Sequence, residues 1–293
     1  MRPLREAEGL RGSRKVRKED AKNAKVKIIS NMAQYETIIT NLDGGVFTIK
    51  LNRPEVFNAF NEQLTTDLQS AFKEAAKRDD IRCVIITGEG KAFCSGQDLK
   101  DAPSGSGKRS LRDSLERRYN PLIRAMRNLP KPIIAAVNGV AAGAGASFAL
   151  AADYRIIADH AKLIEVFVRI GLVPDSGSSW FLVKNVGVAK AFELASTGDD
   201  ITAQKALELS LVNQVVPADK LMEEAMKVAT TYASGPTKAY GYIKKMIDKV
   251  ASMSLDEALD YEVYMQEAAG RTEDYTNAVA AFREKKKAEF KGK

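Results

Sequence analysis

The chain has 293 residues, of which 45% are hydrophobic, and its formal net charge is +7. This length allows one large domain or two smaller ones with a substantial core, and no run approaches the ~18 apolar residues that a membrane span needs. Two cysteines are too few for a disulfide framework, so we expect a reducing compartment, the cytoplasm.

Most of the positive charge lies in residues 1–31. This segment carries ten basic and four acidic residues, which leaves a net charge of only +1 for residues 32–293. It has no aromatic residue and little apolar periodicity, which predicts a mostly disordered leader. The four acids argue against the alternative of a transit peptide. Because the remainder is nearly neutral, we expect neither nucleic acid nor a membrane as a partner.

Residues 32–225 read as an alternating α/β core. The hairpin signal at Asp43-Gly44-Gly45 separates two strands, and a helix with regularly spaced apolar residues follows. The small and polar residues of Ala102–Lys108 predict a mobile loop. The predicted strands are Thr37–Thr40, Val46–Leu51, Cys83–Thr87, Ile133–Val137 and Tyr154–Ala158, and the predicted helices are Asn61–Lys77 and Leu111–Asn128.

Beyond Asp175 the pattern becomes mainly helical. The last two helices have aromatic faces, whose simplest interpretation is packing against the core or another subunit. Residues 226–293 are therefore predicted to form a helical oligomerisation region. The predicted helices are Ser179–Val186, Val188–Ser196, Thr202–Leu209, Ala218–Ala233, Pro236–Val250 and Ser254–Ala281.

A stretch of small residues, Asn138–Asp153, follows one of the buried strands and opens a helix. Gly143 and Gly145 allow a tight turn and a close approach to the backbone. Bare N–H groups at a helix start, where the dipole is most positive, are suited to hold an oxyanion.

A second turn of this kind, Lys91–Leu99, also follows a buried strand. Gly96 precedes the amide of Gln97, as Gly143 precedes the amide of Ala144. Two converging N–H donors suit the negative charge that develops on a thioester carbonyl.

Several motifs, taken together and in this order, resemble the crotonase, or enoyl-CoA hydratase/isomerase, superfamily. The resemblance covers residues 34–293. Its motifs are Asn52-Arg-Pro, Asn58-Ala, Gly90-Lys-Ala-Phe-Cys-Ser-Gly-Gln-Asp-Leu99, Lys131-Pro-Ile-Ile-Ala-Ala-Val-Asn-Gly139 and Gly171-Leu-Val-Pro-Asp-Ser-Gly177.

The resemblance implies an α/β, ClpP-like spiral of ββα units, with C-terminal helices that assemble homotrimers, often paired into hexamers. It also implies an acyl-CoA substrate whose enolate is held by the amides of Gln97 and Ala144, with no metal and no cofactor beyond the CoA of the substrate. Substrate and CoA contacts are expected at Arg53, Ala59, Ser95, Gly96, Asp98, Leu99, Gly143, Phe167 and Lys286.

Members of the superfamily differ in their catalytic acids. The two hydratase carboxylates correspond to Ser147 and Phe167 in this chain, so both are missing. Glu165 lies two residues from the second of these positions, a shift that breaks the hydratase spacing. Asp175 is what remains.

Two interpretations of Asp175 compete. By itself, an Asp before Ser-Gly-Ser-Ser is a good helix N-cap. Within the superfamily, the position resembles the catalytic Asp of dienoyl-CoA and 1,2-epoxyphenylacetyl-CoA isomerases and of 4-chlorobenzoyl-CoA dehalogenases. The dehalogenases carry a Trp where this chain has Phe167, which argues against that reaction.

The leading hypothesis is a cofactor-independent acyl-CoA isomerase of phenylacetate or fatty-acid metabolism, with Asp175 as acid and base. One alternative is a hydratase or acyl-CoA hydrolase that uses Glu165 or Glu116. Another is a non-catalytic CoA- or RNA-binding protein of the same fold.

Overall fold

Two β-sheets carry the fold. A computed structural model describes residues 34–100 and 110–293, so the predictions for the leader and for the loop Ala102–Lys108 lie outside the described residues. The first sheet contains, in spatial order, β1 (Ile38–Asp43), β2 (Val46–Leu51), β3 (Cys83–Gly88), β5 (Ile133–Val137), β7 (Tyr154–Ala158) and β10 (Gln214–Val216). The second contains β4 (Ala92–Cys94), β6 (Val140–Ala142), β8 (Lys162–Ile164) and β9 (Asp200–Thr202).

The two sheets grow together along the chain. After the β1–β2 hairpin, all neighbours in the first sheet run parallel, as do β4, β6 and β8 in the second. Each turn of the chain adds one strand to each sheet, from β3 and β4 to β5 and β6 to β7 and β8. This confirms the α/β spiral of ββα units, and the complete burial of β3 and β5 is what central parallel strands require.

The helices agree with the predicted order, with one correction. A single helix over Ser254–Ala281 is wrong, because the chain breaks at Arg271 and Thr272 and the Thr272 side chain accepts a hydrogen bond from Tyr275 N–H to cap a new helix. The helices are α1 (Glu62–Lys77), α2 (Leu111–Ser114), α3 (Asn120–Asn128), α4 (Ala144–Leu150), α5 (Ser178–Thr197), α6 (Ala203–Glu208), α7 (Leu221–Ala233), α8 (Thr237–Val250), α9 (Leu255–Gly270) and α10 (Glu273–Arg283).

Two helical regions depart from regular α-helix. A π-helix, Leu115–Tyr119, joins α2 to α3 inside the region that the sequence predicts as one helix. Gly187 interrupts α5 with non-helical angles (φ 74°, ψ 168°), at the boundary between two predicted helices.

Several motif residues hold the turns of the spiral together. Asn138 accepts a hydrogen bond from Gly88 N–H (2.9 Å), and the Asn58 amide donates to the carbonyl of Ala92 (2.8 Å). The buried Lys131 ammonium donates to the carbonyls of Ala75 and Arg78, at the C-terminal end of α1 (2.6 Å each). These side chains satisfy backbone groups that turns and helix ends leave unpaired.

An ion cluster joins α3, α8 and Asp153, the residue before β7. The Asp153 carboxylate lies 2.9 Å from both Arg127 Nη1 and the nearly buried Lys244 Nζ, and it accepts a hydrogen bond from Ile133 N–H (2.9 Å). Arg127 also pairs with Asp248 (2.6 Å). Asp153 is thus the anion that compensates two cations shielded from water.

Asp153→Asn is expected to lower the free energy of unfolding by about 3 kcal/mol, because it leaves the buried Lys244 ammonium without its carboxylate partner. Asp200→Asn is the matched control, since Asp200 pairs with Lys162 at the surface (2.9 Å) and its loss should cost under about 1 kcal/mol. Urea unfolding of both variants measures the difference. Equal losses of unfolding free energy in the two variants would show that the Asp153 cluster stabilises the fold no more than a surface ion pair does.

The C-terminal helices expose apolar side chains. Leu255, Val263, Tyr264 and Phe282 are 66–85% exposed. The predicted division at residue 225 and assembly into trimers or hexamers stay predictions, and Glu36–Lys293 form one compact unit. In the described part of the chain, no helix is long and apolar enough to cross a bilayer.

Candidate active site

The two predicted oxyanion turns lie side by side; the first contains Gly96 and Gln97, and the second contains Gly143 and Ala144. β4 and β6 are parallel neighbours, with Cys94 opposite Ala141. Because parallel strands end at the same edge of a sheet, the turns that follow them share that edge. As predicted, each segment follows a buried strand, β3 before Lys91 and β5 before Asn138. The sequence did not predict the three-residue strands β4 and β6 of the second sheet, which lie inside these segments and directly precede the turns.

Two glycines allow the turns to approach each other. Gly96 has a φ of +94°, and a Cβ there would lie 2.8 Å from the carbonyl oxygen of Ala142 and 3.7 Å from the backbone nitrogen of Ala144. A Cβ on Gly145 would lie 2.1 Å from the carbonyl oxygen of Cys94. The glycines of both turns are therefore needed for the close packing of the two chain segments, whether or not a ligand is bound.

The backbone N–H groups of the two predicted oxyanion donors, Gln97 and Ala144, are available to a ligand. Among the described residues, no hydrogen bond uses the backbone N–H of Gln97 or of Ala144. Phe60 N–H donates to Gly96 O (2.7 Å) and Asp98 N–H donates to Phe60 O (2.9 Å), so the residues on both sides of Gln97 are held. Ala144 is the first residue of α4, where a helix offers its unpaired N–H groups.

Asp175 lies in the loop before α5 and is half-buried. It is not the N-cap, because Gly177 occupies that position and makes no side-chain cap bond. The Ser176 hydroxyl donates to Asp175 Oδ1 (2.8 Å). Burial raises the pKa of the Asp175 carboxyl above its ordinary value, against the lowering effect of the Ser176 hydrogen bond.

Ser147 connects Asp175 to the second oxyanion turn. Its hydroxyl lies 3.1 Å from the carbonyl oxygen of Asp175 and 3.2 Å from that of Gly143. Ser147 thus fixes the loop of Asp175 against the start of α4. Phe167 also packs beside Gly143, with ring atoms 3.8 Å from the place a Gly143 Cβ would take.

Glu165 is a second carboxyl in this region, and it is only 1% exposed. Its Oε1 accepts a hydrogen bond from the Ser178 hydroxyl (2.8 Å), whereas Oε2 is buried and, within the described residues, has no partner. Ser178 also donates its N–H to Asp175 O (2.9 Å), so it touches both acidic residues. Burial, and secondarily the charge of Asp175, raise the Glu165 pKa to about 7.

This burial predicts a pH-dependent stability. A Glu165 pKa raised from 4.5 to about 7 gives a stabilisation that is complete below about pH 4.5 and is lost as the pH rises through about 7. Glu165→Gln imitates the protonated form, so its stability relative to wild type should rise by about 3 kcal/mol between pH 4 and pH 8. Urea unfolding at both pH values measures this, with the exposed Glu262→Gln as control. If the difference in unfolding free energy between Glu165→Gln and wild type is the same at both pH values, the pKa of Glu165 is not raised.

The predicted CoA contacts separate into a cluster and outlying residues. Arg53 pairs with Asp98 (3.0 Å) and donates to the carbonyl of Ala59 (2.5 Å), so these three lie together beside the first turn. Ser95 is held to the same segment by its N–H bond to Phe57 O (3.0 Å), and Leu99 is 77% exposed.

Lys286 and Glu116 lie elsewhere on the surface. Lys286 pairs with Glu284 (2.8 Å), and no hydrogen bond among the described residues joins it to the Arg53 cluster. Glu116 pairs with Arg112 (2.8 Å) on an exposed face. In the part of the chain that the structure describes, no group of side chains has the arrangement of a metal site.

Sequence reasoning missed two residues of this region. Tyr119 is buried and donates its hydroxyl to the side-chain oxygen of Gln97 (2.5 Å). Ser178 holds Glu165. Neither stands in a recognisable motif, because both act across distances in sequence that no local pattern reports.

Comparison with known proteins gives consistent matches over this fold. Residues 41–293 match the family model described as enoyl-CoA hydratase/isomerase. The chain is 42% identical to a 1,2-epoxyphenylacetyl-CoA isomerase of Escherichia coli (strain K12), across 88% of this chain and 99% of that protein. It is 35% identical to a trans-2-decenoyl-[acyl-carrier-protein] isomerase of Streptococcus mutans, with the same coverage. An enoyl-CoA hydratase structure from Bacillus anthracis superposes with a TM-score of 0.83 at 33% identity, over 88% of this chain and 100% of that one.

Proposed function

The chain belongs to the enoyl-CoA hydratase/isomerase family, whose enzymes act on CoA thioesters, and we propose that it is an isomerase that moves a double bond through a thioester enolate. The observation that carries this proposal is the position of Asp175. Its half-buried carboxylate belongs to a loop that Ser147 ties to the helix start bearing the Ala144 N–H. The two hydratase acid positions hold Ser147 and Phe167, neither of which can activate water.

In the proposed reaction, Asp175 takes a proton from carbon 2 of a 3-enoyl thioester. The electron pair of that C–H bond moves into the thioester carbonyl, and the N–H groups of Gln97 and Ala144 stabilise the enolate oxygen. Asp175 then returns the proton to carbon 4, which places the double bond between carbons 2 and 3. One carboxylate is sufficient because it gives back the proton that it removed.

The acyl group is proposed to be bulky or cyclic. Phe167 lies beside Gly143, and the segment from there to α5 exposes several apolar side chains. The similarity to a 1,2-epoxyphenylacetyl-CoA isomerase supports the ring epoxide as a candidate substrate. The exposed apolar residues are Ile170, Leu172, Val173 and Trp180.

A panel of CoA esters tests the proposal. We expect turnover of 3-hexenoyl-CoA, or of 1,2-epoxyphenylacetyl-CoA, without added metal or cofactor, and product formation is followed by chromatography. Deuterium exchange at carbon 2 of a saturated ester in D₂O reports enolate formation independently of the double bond. The absence of both turnover and exchange would contradict the proposal.

Glu165 favours a second candidate function, the hydration of 2-enoyl-CoA. A carboxyl whose pKa is about 7 is well suited to general acid–base work, and Ser178 touches both Glu165 and Asp175. Robust hydration of crotonyl-CoA that Glu165→Gln abolishes would favour the hydratase. Isomerisation that persists in Glu165→Gln would favour the isomerase.

A further inference from the structure

The Gln97 side chain is held at every polar atom. Its Nε2 donates to the carbonyls of Phe60 and Asp98 (2.9 Å each), and its Oε1 accepts from the Tyr119 hydroxyl. Phe60 itself bonds Gly96 and Asp98 through its backbone. The side chain of Gln97 is therefore a brace that crosses its own turn and locks it to Phe60 and Tyr119.

Tyr119 reaches Gln97 because of the π-helix. Asn120 N–H donates to Leu115 O, the five-residue spacing of a π-turn, and the buried residues Ser114 and Tyr119 are also five apart. An α-helix turns residues five apart away from each other, whereas the wider π-turn brings them onto one face. Gln69 secures this turn from α1, through a hydrogen bond from its Nε2 to Arg118 O (2.9 Å).

The Tyr119 ring is fixed as firmly as its hydroxyl. It packs edge-on against Phe60, with ring centroids 5.6 Å apart and planes at 87°. The Arg118 guanidinium lies 5.7 Å from the ring centroid. Because both its ring and its hydroxyl are held, Tyr119 restricts the Gln97 side-chain amide to one position.

We propose that Tyr119 is a positioning residue for the oxyanion hole, in which its hydroxyl orients the Gln97 side chain and so aims the Gln97 backbone N–H at the thioester oxygen. This inference rests on the proposed function, since it assigns a task to that N–H. Fixed donors stabilise a developing charge only when they are aligned before the reaction. Loss of the hydroxyl would leave Gln97 Oε1 without its donor and loosen the side chain that braces the turn, while the Asp175 base would stay in place.

Tyr119→Phe tests the proposal, because it keeps the ring against Phe60 and removes only the hydroxyl. We expect kcat for 3-hexenoyl-CoA to fall about tenfold, with KM within about twofold of wild type. The carbonyl stretch of bound butanoyl-CoA, labelled with carbon-13 at the thioester carbon, should move back toward its value in water. Tyr264→Phe, at an exposed position, is the matched control and should change neither measurement.

Gln97→Met supplies a second route to the same result, since it removes both polar ends of the side chain and keeps the backbone N–H. It should reproduce the kcat loss, and the double variant should lose little more than either single one. Wild-type kcat and carbonyl stretch in Tyr119→Phe would overturn the proposal, as would a lower kcat with an unchanged stretch.

Failure of the proposed function gives a different result. In that case the wild-type enzyme would neither turn over 3-hexenoyl-CoA nor exchange the carbon-2 protons of a saturated ester, whatever the carbonyl stretch shows. If the wild type shows the shift and only Tyr119→Phe leaves it unchanged, the oxyanion hole stands and the role of Tyr119 is refuted.

Discussion

Asp175→Asn is expected to lower kcat for isomerisation about 10²- to 10⁴-fold, the usual range for loss of a general acid–base group. Asparagine has the shape of aspartate and can still accept the Ser176 hydrogen bond, but it cannot take a proton from carbon 2. Carbon-2 deuterium exchange should fall in parallel, whereas binding of butanoyl-CoA should change little. Both are measured on the same enzyme preparations.

The wild-type pH profile gives an independent check on this base. Because burial raises the pKa of Asp175, the acid limb of kcat/KM should lie above the ordinary value for an aspartate. The pH profile of the residual kcat/KM of Asp175→Asn should lack this acid limb. Retention of activity within a few-fold of wild type would exclude Asp175 as the base and return attention to Glu165.

Ala144→Pro is expected to lower kcat about 10²- to 10³-fold by deleting one oxyanion donor. Proline is tolerated here, because Ala144 is the first residue of α4 and its N–H has no partner within the helix. Gly143, at φ 52° and ψ −124°, adopts the mirror image of the extended conformation that a residue before proline prefers, and glycine reaches it without strain. Thermal unfolding should therefore stay close to that of wild type.

Ala144→Gly is the matched control for this substitution. It removes the side chain and keeps the N–H, so kcat should remain near the wild-type value at a stability cost of about 0.5–1 kcal/mol. A proline variant with normal kcat would mean that the Ala144 amide does not face the reacting carbonyl. Equal losses in both variants would point instead to disturbance of α4.

These two experiments separate the halves of the proposed mechanism. The Asp175 variant removes proton transfer and leaves the carbonyl donors in place. The Ala144 variant removes a donor and leaves the base, so its acid limb should keep the wild-type position. Only the enolate mechanism predicts that both variants lose carbon-2 exchange.

The local pattern of the sequence was sufficient for much of the fold and for the central site residues. Long apolar strands such as Ile133–Val137 and the helix Glu62–Lys77 are encoded by neighbouring residues, so periodicity finds them. The glycines before Gln97 and Ala144 and the lone Asp175 are visible for the same reason. The three-residue strands β4, β6 and β8 are too short to carry such a signal, and only pairing with distant segments defines them.

By itself, the sequence determined the family, the order of the main elements and the identity of the candidate donors and base. The tertiary structure decided how these residues are held. Ser147 and Ser178 hydrogen-bond to the Asp175 and Glu165 segments, and Tyr119 hydrogen-bonds to the Gln97 side chain. The carbonyl of Cys94 lies so close to Gly145 that a side chain there would collide with it. The physical reason is that burial and hydrogen bonding between residues far apart in sequence set pKa values and orientations, and no local pattern encodes those contacts.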